Sequence, residues 1–242
     1  MRIAVLIPGH LRTWYFCKQN FMETIYDSNY DIDIFVDTYN KQYRANRELV
    51  ETNSKQVVVD QELLDSYFKD LNIVYSNVTD DDEKDVSLFE TEENWPANWL
   101  PLLFEYHTNK LLNVTNMFIQ YEQSHQPYDI VIKTRFDVLL EDKLDYQMYY
   151  DRCKDNDNIV FVGDGIHVSG SNDIFAIGNS AAMKKYGLRS NVTRHIELYD
   201  GENSIRNFAV DYSHKIPICL ARLADNNKVS IQSFLPTRHV SS

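Results

Sequence analysis

Four short polar clusters carry side chains suited to binding a phosphate, a sugar or a cation, and each adjoins an apolar segment. The first, residues 8–12, reads Pro-Gly-His-Leu-Arg and directly follows the apolar run 3–7. Gly9 in such a turn would let backbone amides approach a ligand, and the start of a following helix favours anions. Arg12 would add a contact to phosphate. An ordinary strand-to-helix turn is the alternative interpretation.

The second and third clusters also follow predicted strands. Residues 37–40, Asp-Thr-Tyr-Asn, come after the second apolar run; an aspartate at a strand end often binds local amides instead of a ligand. In the third cluster, Asp137 has the carboxylate oxygens preferred by a hard divalent cation, and it would also suit a ribose hydroxyl. Arg135 lies two residues earlier, on the same side of a strand, and suits a diphosphate. A structural ion pair between Arg135 and Asp137 is the alternative.

The fourth cluster, residues 171–173, ends in Asp173, just before an apolar segment. A carboxylate in this position is a candidate general base, and a local turn-forming residue is the alternative. The sequence contains no GxxxxGK[ST], GxGxxG, GxSxG or HExxH motif, which argues against several other nucleotide, hydrolase and metalloprotease sites. His214 and His239 are late histidines that could complete a metal site, although their spacing does not choose between them.

The composition is that of a folded globular chain. The 242 residues are 43% hydrophobic and 25% charged, which excludes global disorder. The net charge of −12, without a basic cluster, argues against nucleic-acid binding. No apolar run approaches the roughly 20 residues that span a membrane. The short N-terminal run is a poor signal peptide, and three scattered cysteines suggest free thiols, so the sequence predicts a cytoplasmic protein.

The elements that must position these clusters alternate along the chain. Apolar runs predict strands, helical spacing predicts helices, and their alternation indicates an α/β fold with a mostly parallel sheet. We expect Asp60 to cap the second helix, Ser180 to cap a short later helix, and Pro217 to begin another. Strands are predicted at 3–7, 31–37, 56–59, 73–75, 129–140, 159–162, 174–178 and 229–235, with helices at 11–25, 61–68 and 102–124.

The stretch 79–93 interrupts this pattern with a high density of aspartate and glutamate. Such a run repels itself and usually forms a solvated loop. It lacks the alternating ligands and central glycine of an EF-hand, so a calcium loop is disfavoured. We interpret it as a loop that serves as a lid or an acceptor-side insertion.

Taken together, the clusters resemble a known family. The matching segments are IAVLIPGHLRTW, DIDIFVDTYN, YDIVIKTRFDVLL and NDIFAIGNSAAMKKYG, at residues 3–14, 31–40, 128–140 and 172–187. In this order they are similar to the small GT-A-type glycosyltransferases of large DNA viruses, chloroviruses among them, and of bacterial capsule and polysaccharide clusters. The resemblance implies a GT-A-like, Rossmann-like α/β fold, with a mixed sheet flanked by helices in a single domain.

The resemblance also implies roles for individual residues. Arg135 and Asp137 occupy the position of the family's Asp-x-Asp motif, so a divalent cation, Mn²⁺ or Mg²⁺, is expected at Asp137. The first acid of that motif is here Arg135, which could replace part of the cation's charge. The nucleotide-sugar contacts implied are Pro8, Gly9, His10 and Arg12 in the pocket, Thr38 and Tyr39 beside the base or ribose, and Lys110, Arg135 and Asp137 at the diphosphate.

The expected function is sugar transfer, of the hexosyl- or pentosyltransferase class, from a nucleotide-diphosphate sugar to a glycan hydroxyl. UDP is the favoured nucleotide, a glycan or glycoprotein is the expected acceptor, and Asp173 would act as the base of an inverting reaction. Residues 1 to about 140 would bind the donor, and residues from about 141 to 242 would face the acceptor. For a viral protein the location would be the host cytoplasm. The alternative is a non-catalytic nucleotide- or glycan-binding or interaction module with a vestigial site.

Overall fold

The computed structural model describes the chain in ten ranges: 1–11, 13–40, 58–80, 99–163, 166–167, 170–171, 174–193, 209–210, 218–223 and 229–233. The strands are, in chain order, β1 (Arg2–Pro8), β2 (Asp31–Tyr39), β3 (Ile73–Thr79), β4 (Ile130–Lys133), β5 (Val138–Leu140), β6 (Ile159–Val162), β7 (Ile166–His167), β8 (Gly170–Ser171), β9 (Ala176–Gly178), β10 (Ala209–Val210), β11 (Ile218–Leu223) and β12 (Val229–Ser233). The helices are α1 (Trp14–Thr24), α2 (Gln61–Phe68), α3 (Trp99–Gln123), α4 (Tyr146–Cys153) and α5 (Ser180–Thr193).

Seven of these strands form one mixed sheet in the order β10-β6-β9-β4-β1-β2-β3. The neighbours from β4 to β3 run parallel, whereas β9 is antiparallel to both β4 and β6. Parallel neighbours need long crossover connections, and helices α1, α2 and α3 lie in the connections between β1, β2, β3 and β4. The predicted α/β class, with a mostly parallel mixed sheet flanked by helices, is therefore confirmed.

The helices cover the two faces of this sheet because the strands are apolar on both sides. On one face, Trp14 of α1 stacks on Phe68 of α2, with ring centroids 4.7 Å apart and planes 8° apart. On the other face, α3 and α5 contribute Leu111, Phe118 and Met183 to a second buried cluster. None of the helices in the described part of the chain is both long enough and apolar enough to cross a membrane.

Two predicted elements are wrong. Residues 129–140 do not form one strand: β4 ends at Lys133, and β5 begins at Val138 and joins a separate sheet, β12-β11-β5. The break arises where Phe136 turns into the core, 5.9 Å from the Trp14 ring. The helix predicted after Pro217 is strand β11, because nearly every residue in Ile218–Leu223 is apolar and antiparallel partners lie on both sides.

Capping residues are partly as predicted. Asp60 caps α2, accepting a hydrogen bond from the Leu63 backbone N–H at 2.8 Å. The cap of α5 is Asn179 instead of Ser180: its Oδ1 accepts from the Ala182 N–H at 2.8 Å, and the helix is longer than expected. Strand β3 runs four residues beyond its predicted end. The acidic stretch from residue 81 onward lies outside the described residues, as do residues 56–57 of the predicted strand 56–59.

Because two cysteine thiols are buried, we expect the protein to lose stability as the pH rises above the ordinary pKa of a thiol. Burial raises the pKa of Cys17 to about 12, with the nearby Asp137 charge adding to the effect, and burial raises the pKa of Cys153 to about 11. An unfolded thiol ionises near pH 8.5, so above that pH the unfolded state releases protons that the native state keeps. Each thiol then lowers the free energy of unfolding by about 1.4 kcal/mol per pH unit, up to its native pKa.

Urea denaturation between pH 8 and pH 10.5 measures this dependence. The matched control is the double variant Cys17→Ala/Cys153→Ala, whose stability should decline less steeply over the same range. Equal slopes for the two proteins would contradict the assignment.

Candidate functional site

The carboxyl ends of four neighbouring strands meet at one edge of the main sheet. The register pairs Pro8 with Asp37, Leu6 with Lys133, and Tyr39 with Thr79. Ligands of open α/β sheets bind beyond the carboxyl ends of the strands, so this edge is the candidate site. The clusters predicted after β1, β2 and β4 are brought together here.

The turn after β1 requires a glycine. Gly9 has φ +116°, a backbone conformation that residues with a side chain rarely adopt, and its N–H donates to the Asp37 carbonyl at 3.0 Å. Pro8 is buried, whereas Gly9 and His10 are half-buried. Arg12, predicted to contact phosphate, lies outside the described residues. The turn thus has a tight backbone that a glycine permits, and its approach to a nucleotide stays a prediction.

Two aromatic rings stack beside this turn. The rings of His10 and Tyr39 lie 4.7 Å apart between centroids, with 30° between their planes. Tyr39 is buried, with 6% of its surface exposed, so the half-buried His10 presents the more accessible ring of the pair. A ring in this position offers a flat apolar surface to a nucleobase or a sugar.

Lys110 of α3 does not face the open edge, contrary to what the resemblance implies. Its ammonium donates to Asp37 Oδ1 at 2.8 Å, to the Thr38 carbonyl at 2.9 Å and to Thr79 Oγ1 at 2.6 Å. These contacts engage the three donors of an ammonium group, and the residue is only 1% exposed. Lys110 Nζ also lies 4.1 Å from the centroid of the Tyr39 ring. The structure therefore places Lys110 beneath the ring pair, where it faces protein oxygens.

Asp37 is the carboxylate that holds this lysine; the sequence analysis placed it in a candidate ligand-binding cluster, with binding to local amides as the alternative, and did not predict the ion pair. Its Oδ1 accepts from Lys110 and from Asn77 Nδ2, the latter at 3.0 Å. The side chain is fully buried, and among the described residues its Oδ2 has no hydrogen-bond partner. Thr38 is also fully buried. Its predicted position beside a base or ribose therefore gains no support from its exposure and stays a prediction. An acidic residue inside an otherwise apolar strand was the available signal for a buried ion pair.

Arg135 and Asp137 form a two-bonded ion pair in the turn between β4 and β5. Arg135 Nε contacts Asp137 Oδ1 at 3.0 Å, and Nη2 contacts Oδ2 at 2.7 Å. This is the structural ion pair that the sequence left open as an alternative. The Asp137 side chain is 1% exposed and that of Arg135 is 18% exposed. Arg135 Nη1 has no partner among the described residues, so the guanidinium can still contact an anion.

The described residues do not fit a divalent cation at Asp137. Both of its carboxylate oxygens already accept hydrogen bonds from the Arg135 guanidinium, whose positive charge would repel a cation bound beside it. No group of three or more His, Cys, Asp or Glu side chains in the described ranges could hold a metal. His214 and His239 lie outside those ranges. The predicted cation role of Asp137 has no support in this geometry.

Lys133 is a further charged residue at the site that sequence reasoning missed. It is fully buried at the end of β4, and its Nζ lies 3.4 Å from the Ile174 carbonyl. Ile174 directly follows the predicted base, Asp173, which lies outside the described residues. The contact fixes the chain segment after Asp173 next to the carboxyl end of β4. A lysine following an apolar run is the signal that could have identified it.

Comparisons with known proteins give structural neighbours only. No protein-family model and no curated protein matches the chain. The galactosyltransferase LgtC, in complex with donor and acceptor sugar analogs, is 12% identical, with 86% of this chain and 70% of that one covered and a TM-score of 0.42. An active-site mutant of LgtC is 11% identical, with 86% of this chain and 69% of the LgtC chain covered and a TM-score of 0.43.

A third neighbour is the apo-form glycosyltransferase GlyE in Streptococcus pneumoniae TIGR4. It is 10% identical, with 86% of this chain covered and a TM-score of 0.45, and the matched part spans 44% of the GlyE chain. A backbone likeness of this size assigns no activity to the present chain.

The Arg135–Asp137 pair gives a direct prediction for stability. Arg135→Met leaves the buried Asp137 carboxylate without its partner, and we expect the free energy of unfolding to fall by about 3 kcal/mol. The double variant Arg135→Met/Asp137→Asn removes both charges and should recover most of that loss. Urea denaturation of the three proteins at pH 7 measures the difference. If the double variant is no more stable than Arg135→Met, the pair is not the source of the effect.

Proposed function

We propose that the chain is a glycosyltransferase that binds a nucleotide-diphosphate sugar at the carboxyl edge of its main sheet. The observation that carries the proposal is the convergence of three unlike features at this edge. They are the positive-φ turn at Gly9, the stacked rings of His10 and Tyr39, and the partly exposed guanidinium of Arg135. A ring suits the base of a nucleotide, a guanidinium suits its diphosphate, and a tight glycine turn lets the ligand come close to the backbone.

The leaving group of such a transfer is a nucleoside diphosphate, on which negative charge develops. Arg135 would stabilise that charge with the part of its guanidinium that Asp137 does not engage, and Arg12 would add a second positive charge. Lys110 has no part in this step, because its ammonium is already bound to protein oxygens. The resemblance stated above supports UDP as the nucleotide and a GT-A-like organisation of the fold.

The acceptor half of the reaction is assigned to Asp173. Its carboxylate would take the proton of an acceptor hydroxyl, and that oxygen would attack the anomeric carbon as the bond to the diphosphate breaks on the opposite face. The product is a glycoside of inverted configuration. The contact of Lys133 with the Ile174 carbonyl supports this placement, since it holds the following residue near β4. Residues 1 to about 140 would bind the donor, and those from about 141 to 242 would face the acceptor.

In biological terms, the proposed acceptor is a glycan or glycoprotein and the transferred unit is a hexose or pentose. A role in building a viral or capsular polymer in the cytoplasm follows from the family resemblance alone.

A second candidate function is a nucleotide- or glycan-binding module without activity. The closed Arg135–Asp137 ion pair favours it, because that pair stands where the resemblance places two carboxylates. Binding without turnover would distinguish this module from the enzyme.

Nucleotide binding is tested first, by thermal shift with UDP, GDP, CMP and dTDP, each with Mn²⁺, Mg²⁺ or a chelator. Of the four nucleotides, we expect only UDP to raise the melting temperature. A ligand at 100 times its Kd adds about 2.7 kcal/mol to the free energy of unfolding. We further expect the shift to persist in chelator, because Asp137 is engaged by Arg135. No shift with any nucleotide would reject the proposal, and a shift that requires the metal would restore the cation role of Asp137.

Transfer is tested with Asp173→Asn. We expect UDP release from a UDP-sugar, with glycan acceptors present, to fall about 10² to 10⁴-fold, because removing a general base costs that much. The UDP-induced thermal shift should be unchanged. The matched control is Asp151→Asn, which alters an exposed carboxylate on α4. Full activity in Asp173→Asn would show that another group is the base, and nuclear magnetic resonance of the product would show whether the configuration is inverted.

A further inference from the structure

We propose that Lys110 is a positioning residue for nucleoside binding, acting through the His10–Tyr39 ring pair, and that it does not bind the diphosphate. The inference rests on the proposed nucleotide function and names the part of the ligand that Lys110 controls. It replaces the diphosphate contact that the family resemblance implies.

The ammonium of Lys110 is held firmly by protein oxygens. Its three hydrogen-bond acceptors belong to Asp37, Thr38 and Thr79, at 2.8, 2.9 and 2.6 Å. Two lie near the end of β2 and one ends β3, so a single group ties the ends of two parallel strands to α3. A buried ammonium is costly unless it is paired and hydrogen-bonded, and this one makes three hydrogen bonds, one of them to a carboxylate. The position of the ammonium is therefore fixed.

This fixed charge contacts the ring pair. Lys110 Nζ lies 4.1 Å from the centroid of the Tyr39 ring, within the range of a cation–π interaction. The Tyr39 ring in turn stacks with that of His10 at 4.7 Å. Charge, buried ring and accessible ring are thus in successive contact. A displaced ammonium would release Tyr39 first and the more exposed His10 ring with it.

The position of Lys110 favours an effect on the nucleoside over contact with the diphosphate. A phosphate oxygen could reach the ammonium only by displacing a protein acceptor, and only 1% of the lysine surface is exposed. The ring pair, by contrast, begins beside the Gly9 turn at the open edge. Loss of Lys110 should therefore weaken the binding of uridine and the binding of UDP by the same factor. Loss of a diphosphate contact would weaken only the binding of UDP.

The experiment compares uridine and UDP binding by isothermal titration calorimetry. The test protein is Lys110→Met/Asp37→Asn, which removes both charges of the buried pair and leaves neither one unpaired. The matched control is Lys18→Met/Asp70→Asn, the same two substitutions in a surface ion pair of 3.3 Å. We expect the test protein to bind both uridine and UDP about tenfold more weakly than wild type, the size of a partly desolvated cation–π contact. The control should bind as wild type.

Three outcomes would overturn the inference. A larger loss for UDP than for uridine would make Lys110 a diphosphate ligand. Unchanged affinity for both would make the pair purely structural. A wild-type protein that binds neither ligand would instead reject the proposed nucleotide function, and the inference with it.

A milder variant covers the case in which the double variant does not fold. Thr79→Val removes one acceptor of the ammonium without stranding a charge. It should weaken uridine and UDP binding by one common, smaller factor. No change in either affinity, or a change for UDP alone, would count against the inference in the same way.

Discussion

The ion pair between Lys110 and Asp37 is the interaction on which the candidate site depends. Taking both charges out of water is costly, and the cost is offset only when geometry and additional hydrogen bonds are good. Here Thr38 and Thr79 supply those bonds, at 2.9 and 2.6 Å. Because the acceptors come from two strand ends and the donor from α3, one helix and two strands must reach their final positions together.

The site contains a second ion pair with a different character. Arg135 and Asp137 are two residues apart in one turn, and the arginine keeps 18% of its side chain exposed. Lys110 and Asp37 are 73 residues apart, and neither is accessible. The inner pair therefore organises the edge from within, whereas the outer pair presents a guanidinium to the surroundings. The family resemblance implies that both Lys110 and Arg135 contact a diphosphate. In the structure only Arg135 is partly exposed, and Lys110 is buried.

Local sequence patterns predicted the local structure well. Strand β1 is built on a continuous apolar run, and β2 on apolar residues interspersed with aspartates. Asp60 caps a helix as its type and position suggest, and Gly9 adopts the backbone expected of a turn. What could not be predicted depends on distant partners. The break after Lys133 follows from the burial of Phe136 against Trp14, and β11 is a strand because of its neighbours. The partner of Asp37 lies on a helix 73 residues further on, a distance over which no spacing rule applies.

The position of β9 has a consequence for the order in which the chain acquires structure during synthesis. β9 lies between β4 and β6, although it follows both in the sequence. Until residues 176–178 leave the ribosome, β6 has no strand that links it to β4. The β1–β4 half of the sheet can assemble first, since chains fold from the N-terminal end as they emerge. The strand edge of β4 that awaits β9 lies beside Lys133, so a nascent chain exposes an unpaired edge at the candidate site itself.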